Sequence, residues 1–137
     1  MSEDNKALVR RVYDEVFGQG DLDLTEELFS QDFELHDGLG SDVTGPEAVK
    51  QVATMLRSAF PDFQTHVEDL LTDGNKVAGR WNWTGTHKGE IMGIAPTDKQ
   101  VTTRVLDILR IENGKIQEVW VISDLFGLMH QLGAISS

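Results

Sequence analysis

The stretch Thr103-Arg104-Val105-Leu106-Asp107-Ile108-Leu109-Arg110-Ile111-Glu112-Asn113-Gly114-Lys115-Ile116-Gln117-Glu118-Val119-Trp120-Val121-Ile122-Ser123-Asp124 decides the fold. Asn-Gly between two apolar runs is a strong signal for a two-residue hairpin turn, because both residues tolerate positive φ. With Asn113-Gly114 as the turn, Glu112 faces Lys115 and Ile111 faces Ile116. Counting outward sets Asp107 opposite Trp120 and Thr103 opposite Asp124. One face then carries Thr103, Val105, Asp107, Leu109, Ile111, Ile116, Trp120, Ile122 and Asp124. The other carries Arg104, Leu106, Ile108, Arg110, Gln117, Val119, Val121 and Ser123, and it too is apolar in its middle. A sheet wetted on one side alternates cleanly, so both faces here need a cover. One face is expected to meet helices and a pocket, the other a partner subunit, giving a homodimer through the β-sheet.

Working outward, the chain is β-rich from Phe63 onward. A three-residue Asp73-Gly74-Asn75 turn would place Leu71 by Val77, Val67 by Trp81 and Glu68 by Arg80, joining like with like. Before Phe63 the period is helical. Leu8, Val9, Val12, Tyr13, Val16 and Phe17 form one stripe of a helix ending near Gly18 and Gly20. Residues 21–30 suit a short second helix before the strand-like Phe33-Glu34-Leu35-His36. Thr44-Gly45-Pro46-Glu47 has the residues of a helix start, with a cap, an early proline and a glutamate three positions on. Val49, Val52, Ala53, Leu56 and Phe60 then share a face until Pro61. The fold class expected is α+β, a strongly curved antiparallel sheet packed against N-terminal helices, with residues 1–137 as a single domain.

Composition narrows the function. The 137 residues contain no cysteine, which removes thiol nucleophiles, thiolate metal sites and disulfides and is compatible with a reducing compartment. A formal net charge of −11, with acids concentrated between Asp14 and Asp42, disfavours nucleic acid as a partner. The polar, acidic start Met1-Ser2-Glu3-Asp4-Asn5-Lys6 is unlike a secretory signal, and no apolar run reaches the ~20 residues of a membrane span. The expected location is cytoplasmic, away from membranes. No His or carboxylate cluster stands at metal-ligand spacing, and no phosphate loop or nucleophile elbow occurs, so neither a metal nor an organic cofactor is expected.

Asp124 ends the apolar strand Val119-Trp120-Val121-Ile122-Ser123 and precedes Leu125-Phe126-Gly127-Leu128-Met129. Burial there would raise its pKa toward neutrality, as a general acid/base near pH 7 requires. The alternative is that Asp124 caps the C-terminal helix. Asp107, on the same predicted face, could hold a polar substrate group or serve as a hydrogen-bonded structural aspartate. His36 and His87, at the ends of predicted strands, could orient a carbonyl or share a proton with Asp124, or act as hydrogen-bonded rim residues. Trp81, Trp83, Trp120 and Phe126 supply aromatic area for a flat hydrophobic ligand, or plain core.

Gly85-Thr86-His87-Lys88-Gly89-Glu90-Ile91-Met92-Gly93-Ile94-Ala95-Pro96-Thr97 resembles the signature loop of the SnoaL-like polyketide cyclases, or ester cyclases, of the nuclear-transport-factor-two-like superfamily. Phe33-Glu34-Leu35-His36, the Asp107 to Trp120 hairpin, and Asp124 leading into Gln131-Leu132-Gly133 fit in order. The resemblance implies a cone-shaped, ketosteroid-isomerase-like α+β barrel, a dimer, and a small-molecule pocket between sheet and helices. It also implies cofactor-free chemistry. An aspartate at the place of Asp124 would drive intramolecular aldol closure of a polyketide ester, with His36 and His87 orienting the substrate or stabilising the enolate.

Three functional readings follow. The first is a cyclase or related isomerase acting on a hydrophobic carbonyl compound through Asp124. The second is a non-catalytic protein sheltering a hydrophobic ligand. The third, epoxide hydrolysis or dehydration, wants an Asp, Arg, Asp relay, and the derived register puts Arg104 on the wrong face for it.

Overall fold

The computed structural model describes residues 2–37 and 43–135; Met1 and the Asp42 end of the acidic stretch lie outside them. Helix α1 (Ser2–Arg11) runs on into a π-helical segment, Val12–Phe17, and α2 (Leu24–Leu28) follows. Strand β1 (Phe29–His36) and helix α3 (Pro46–Ala59) precede β2 (Gln64–Asp73), β3 (Lys76–Thr86), β4 (Gln100–Glu112), β5 (Lys115–Ser123) and helix α4 (Leu125–Gln131). The π segment closes with Gly18 N–H donating to the Tyr13 carbonyl at 2.9 Å, and it buries Val12, Tyr13 and Val16. A π-turn re-aims the side chains it carries.

The five strands form one sheet in the order β1-β5-β4-β3-β2. Strands β2 to β5 are antiparallel, as expected. Strand β1 departs from that expectation by pairing parallel to β5. The cause is connectivity: after β1 the chain crosses through α3 to the opposite edge and enters the sheet there as β2.

Both turns set local register, and a bulge in each hairpin resets it. Asn113 and Gly114 adopt φ of 55° and 72° and leave Glu112 opposite Lys115 and Ile111 opposite Ile116, as predicted. Between Ile116 and Glu118, however, β5 carries one extra residue, so Arg110 faces Glu118, Ile108 faces Trp120 and Asp107 faces Val121. A one-residue slip exchanges the faces of everything beyond it. Trp120, Ile122 and Asp124 therefore leave the inner face predicted for them, and Val119, Val121 and Ser123 take their places. In the first hairpin the turn is Gly74-Asn75, with Asp73 opposite Lys76 and Thr72 rather than Leu71 opposite Val77. A bulge at Glu68 then restores the expected Val67–Trp81 pair; Arg80 has Asp69 as its Cα partner and still reaches Glu68 with a 2.7 Å ion pair.

The inner face of the sheet, with Val77, Trp81, Trp83, Val105, Leu109 and Val119, packs against Val9, Val12, Tyr13, Val16 and Val49 of the helices. Helix α3 starts differently from the reading of Thr44 and Glu47. Its cap is Gly45 at φ 75°, with no side-chain cap bond, and Pro46 opens the first turn. Gly45 N–H donates to the Phe33 carbonyl at 2.8 Å, and a Cβ there would press on the Gln31 carbonyl. Glycine is required because β1 and the helix start meet backbone to backbone. No helix of the described residues is long and apolar enough to cross a membrane.

Candidate functional site

Between helices and sheet lies a cavity of about 300 Å³. Its wall is mostly Val, Leu, Ile, Phe, Trp and Met, with Tyr13, Asp37, Thr103, Asp107 and Ser123 as polar members. Residues Ile91 and Met92, from the loop between β3 and β4, and Leu125 and Leu128 of α4 complete the lining.

Asp107 is the chemically distinctive group. It sits mid-strand on β4, 8% exposed, where alternation turns every second side chain inward. Tyr13 Oη donates to its Oδ1 at 2.5 Å, and Trp81 Nε1 donates to its Oδ2 at 3.2 Å. Burial pushes the carboxyl up to about 6, and the hydrogen bonds from Tyr13 and Trp81 oppose that rise without cancelling it. Burial and the Asp107 charge together drive Tyr13 far above the ordinary phenol range, so its hydroxyl stays protonated. Tyr13 and Trp81 also stack, with ring centroids 4.8 Å apart. The contact depends on Gly79, which faces Asp107 across β3 and β4; a Cβ there would collide with Tyr13 Oη. A glycine inside a strand marks such a close approach.

The other predicted site residues are distributed by the bulge and the loops. Trp81 and Trp83 line the cavity and also belong to the core. Trp120 is on the outer face, stacked on His36 at 5.5 Å with Lys76 Nζ over its ring, and Phe126 is 72% exposed at the start of α4. Neither belongs to the cavity wall. Asp124 caps α4, its Oδ1 accepting from Gly127 N–H at 2.8 Å, and its other oxygen pairs with Arg104 at 3.4 Å. Its side chain is 37% exposed and outside the cavity lining, so the structure realises the cap and not a sheltered acid. The cap still matters to the pocket, because it fixes the first turn of the helix carrying Leu125 and Leu128.

His36 lies on the outer face with Nε2 2.7 Å from Glu118 Oε2, and this bond holds Glu118 below its usual range. His87 is fully buried at the base of the loop, its Nδ1 accepting from Thr97 N–H at 3.2 Å and 3.0 Å from Thr97 Oγ1. The structure brings neither histidine to Asp124 or to the cavity wall. It does gather Glu34, His36 and Glu118, whose ligand atoms lie within 4.8 Å of one another and could hold a metal ion. That grouping spans two strands, so no linear spacing could show it. Tyr13 was legible only as one more member of an apolar helical stripe; its hydroxyl, and Gly79 in mid-strand, were the available signals.

The fold and the site together are an α+β frame with a buried carboxyl, Asp107, on the wall of an apolar cavity. Comparison with known proteins makes the class specific. Residues 7–132 match the SnoaL-like polyketide cyclases, and the chain belongs to that family. It is 28% identical to the aklanonic acid methyl ester cyclase DnrD of Streptomyces peucetius over 131 residues, covering 92% of this chain and 88% of that protein. The nogalonic acid methyl ester cyclase of Streptomyces nogalater matches at 28% over 97 residues, 66% of this chain and 68% of that one. Among solved structures, wild-type IdmH from Streptomyces antibioticus superposes with a TM-score of 0.82 at 31% identity, covering 94% of this chain and 98% of that one. TsrD from Streptomyces laurentii, 23% identical, shares the fold with a TM-score of 0.89 over 97% of each chain.

Proposed function

We propose that the protein is a cofactor-free cyclase of the polyketide ester type in which Asp107 is the general acid/base. One observation supports this above all: the carboxyl faces an apolar cavity and titrates near 6, pinned by one donor on each oxygen. Above that pH the carboxylate takes a proton from a carbon α to a carbonyl. The enolate carbon attacks a second carbonyl of the same molecule, the new C–C bond forms, and the displaced π pair becomes an alkoxide. Asp107 returns the proton to that oxygen, so nothing is oxidised and nothing leaves. Tyr13 and Trp81 fix the carboxyl, and each of its oxygens keeps a lone pair for the exchange.

The test uses the methyl esters of aklanonic and nogalonic acids, named in the two relatives, as substrates. Asp107→Asn should retain fold and ligand binding and lose ring closure; closure at the native rate would reject the assignment. The reading as a binder without turnover draws on the same two hydrogen bonds, since they also satisfy a structural aspartate. It predicts ligand retention and no closure by the native protein. Epoxide chemistry has no support in the geometry, because Arg104 pairs with Asp124 on the outer face.

The homodimer belongs to the same proposal. Leu106, Ile108, Trp120 and Ile122 are exposed, and they form two cross-strand pairs on the outer face, Leu106 with Ile122 and Ile108 with Trp120. Around them Arg104 is balanced by Asp124 and Arg110 by Glu118. On a chain of charge −11 this balanced apolar patch is where a second copy can approach without repulsion. A cytoplasmic setting suits the cysteine-free composition.

A further inference from the structure

Burying a hydroxyl without a hydrogen-bond partner costs free energy, and native proteins tolerate few such groups. Among the described residues, Thr103 Oγ1 is one of these, on a side chain 1% exposed. The other two, Ser30 Oγ and His87 Nε2, lie on residues outside the cavity lining, whereas Thr103 is part of it. Valine would fill the same space, suit the strand equally and leave nothing unsatisfied. A second hydroxyl stands nearby: Ser123, also in the wall, faces Val105 and is therefore the diagonal neighbour of Thr103. Around this pair the wall is apolar, with Trp83, Val105, Leu125 and Leu128.

We infer that Thr103, with Ser123 beside it, forms a polar subsite that takes a carbonyl or hydroxyl oxygen at the end of the substrate remote from its reacting carbon. Thr103 and Asp107 share the inner face of β4 four residues apart, about 13 Å along an extended strand. A ligand whose acidic carbon lies at Asp107 thus reaches Thr103 only if it is long, and is fixed at both ends only if it is oxygenated there. The subsite selects length and oxygenation together. It rests on the reading of this cavity as the substrate pocket, and its test avoids the chemistry proposed for Asp107.

The probes are 2,6-dihydroxyanthraquinone and 2-hydroxyanthraquinone, rigid and unreactive here, titrated by absorbance against the full-length native protein, Thr103→Val and Thr103→Ser. The native protein should prefer the diol by about tenfold, the value of one neutral hydrogen bond in a dry site. Thr103→Ser should keep that preference and Thr103→Val abolish it, while Thr103→Val melts at the native temperature or above. Failure of the diol to bind, a native protein with no preference, or a preference surviving in Thr103→Val overturns the inference. So does a Thr103→Val variant melting well below the native protein, since the hydroxyl would then have a structural partner. Because neither probe reacts, these outcomes are separate from the turnover of Asp107→Asn.

Discussion

A carboxyl that titrates about two units above its unfolded value makes folding pH-dependent in a direction opposite to that of most acids. Asp107 moves from 3.8 in the unfolded chain to about 6 in the folded one. The folded state therefore holds this proton more tightly, and the contribution is fully present below the unfolded value and lost as pH rises through about 6. At 1.36 kcal/mol per unit the difference is about 3 kcal/mol, an upper figure because a buried carboxylate can recruit water when it ionises. Asp107→Asn removes the titration. Urea unfolding of both proteins from pH 3 to 8 should show the native protein losing about 3 kcal/mol relative to the variant, most of it between pH 4 and 6. Differences between the two curves cancel every other titrating group. A constant offset across that range would refute the burial argument, and with it the basis for Asp107 as an acid/base near neutrality.

Tyr13→Phe deletes a hydrogen bond that lowers Asp107. The midpoint of the pH–rate profile should move upward from about 6, and stability should fall by about 1–3 kcal/mol as a buried carboxyl loses its donor. Asp124→Ala should cost about 1 kcal/mol in thermal or urea unfolding through the lost α4 cap, and Asp124→Asn, which keeps a capping oxygen, much less, with its ring closure unchanged. Ile108→Glu places a charge in the outer apolar patch and should convert a dimer to a monomer in sedimentation equilibrium; a native protein that sediments as a monomer would reject that interface.

Much of the architecture was readable because it is encoded locally. The helical stripe from Leu8 to Phe17, the Asn113-Gly114 turn and the inward row Val105, Asp107, Leu109, Ile111 on β4 all depend on periodicity or turn chemistry within a few residues. The parallel β1–β5 pairing was not readable, because it depends on where the chain returns after α3, and no short-range pattern records that. The two hydrogen bonds on Asp107 join residues 94 and 26 positions apart in the chain.

The face of Asp124 was misread for a sharper reason, and the sequence held a sign of it. Counting without interruption from the turn puts Glu118 on the inner face, between Ile116 and Trp120. A carboxylate there would be buried in an apolar layer, at a cost larger than the local disruption of one bulge. The extra residue after Ile116 sets Glu118 outside, where Arg110 and His36 meet it, and brings Val119 inside. Every later residue on β5 follows, so Asp124 goes to the outer face, and of these two aspartates it is Asp107, on the neighbouring strand, that lines the cavity. Asp107 is immune to that slip because β4 pairs with β3 without a break in register from Gln100 to Arg110. A single buried-charge constraint near the turn thus decides which of the two aspartates faces the cavity.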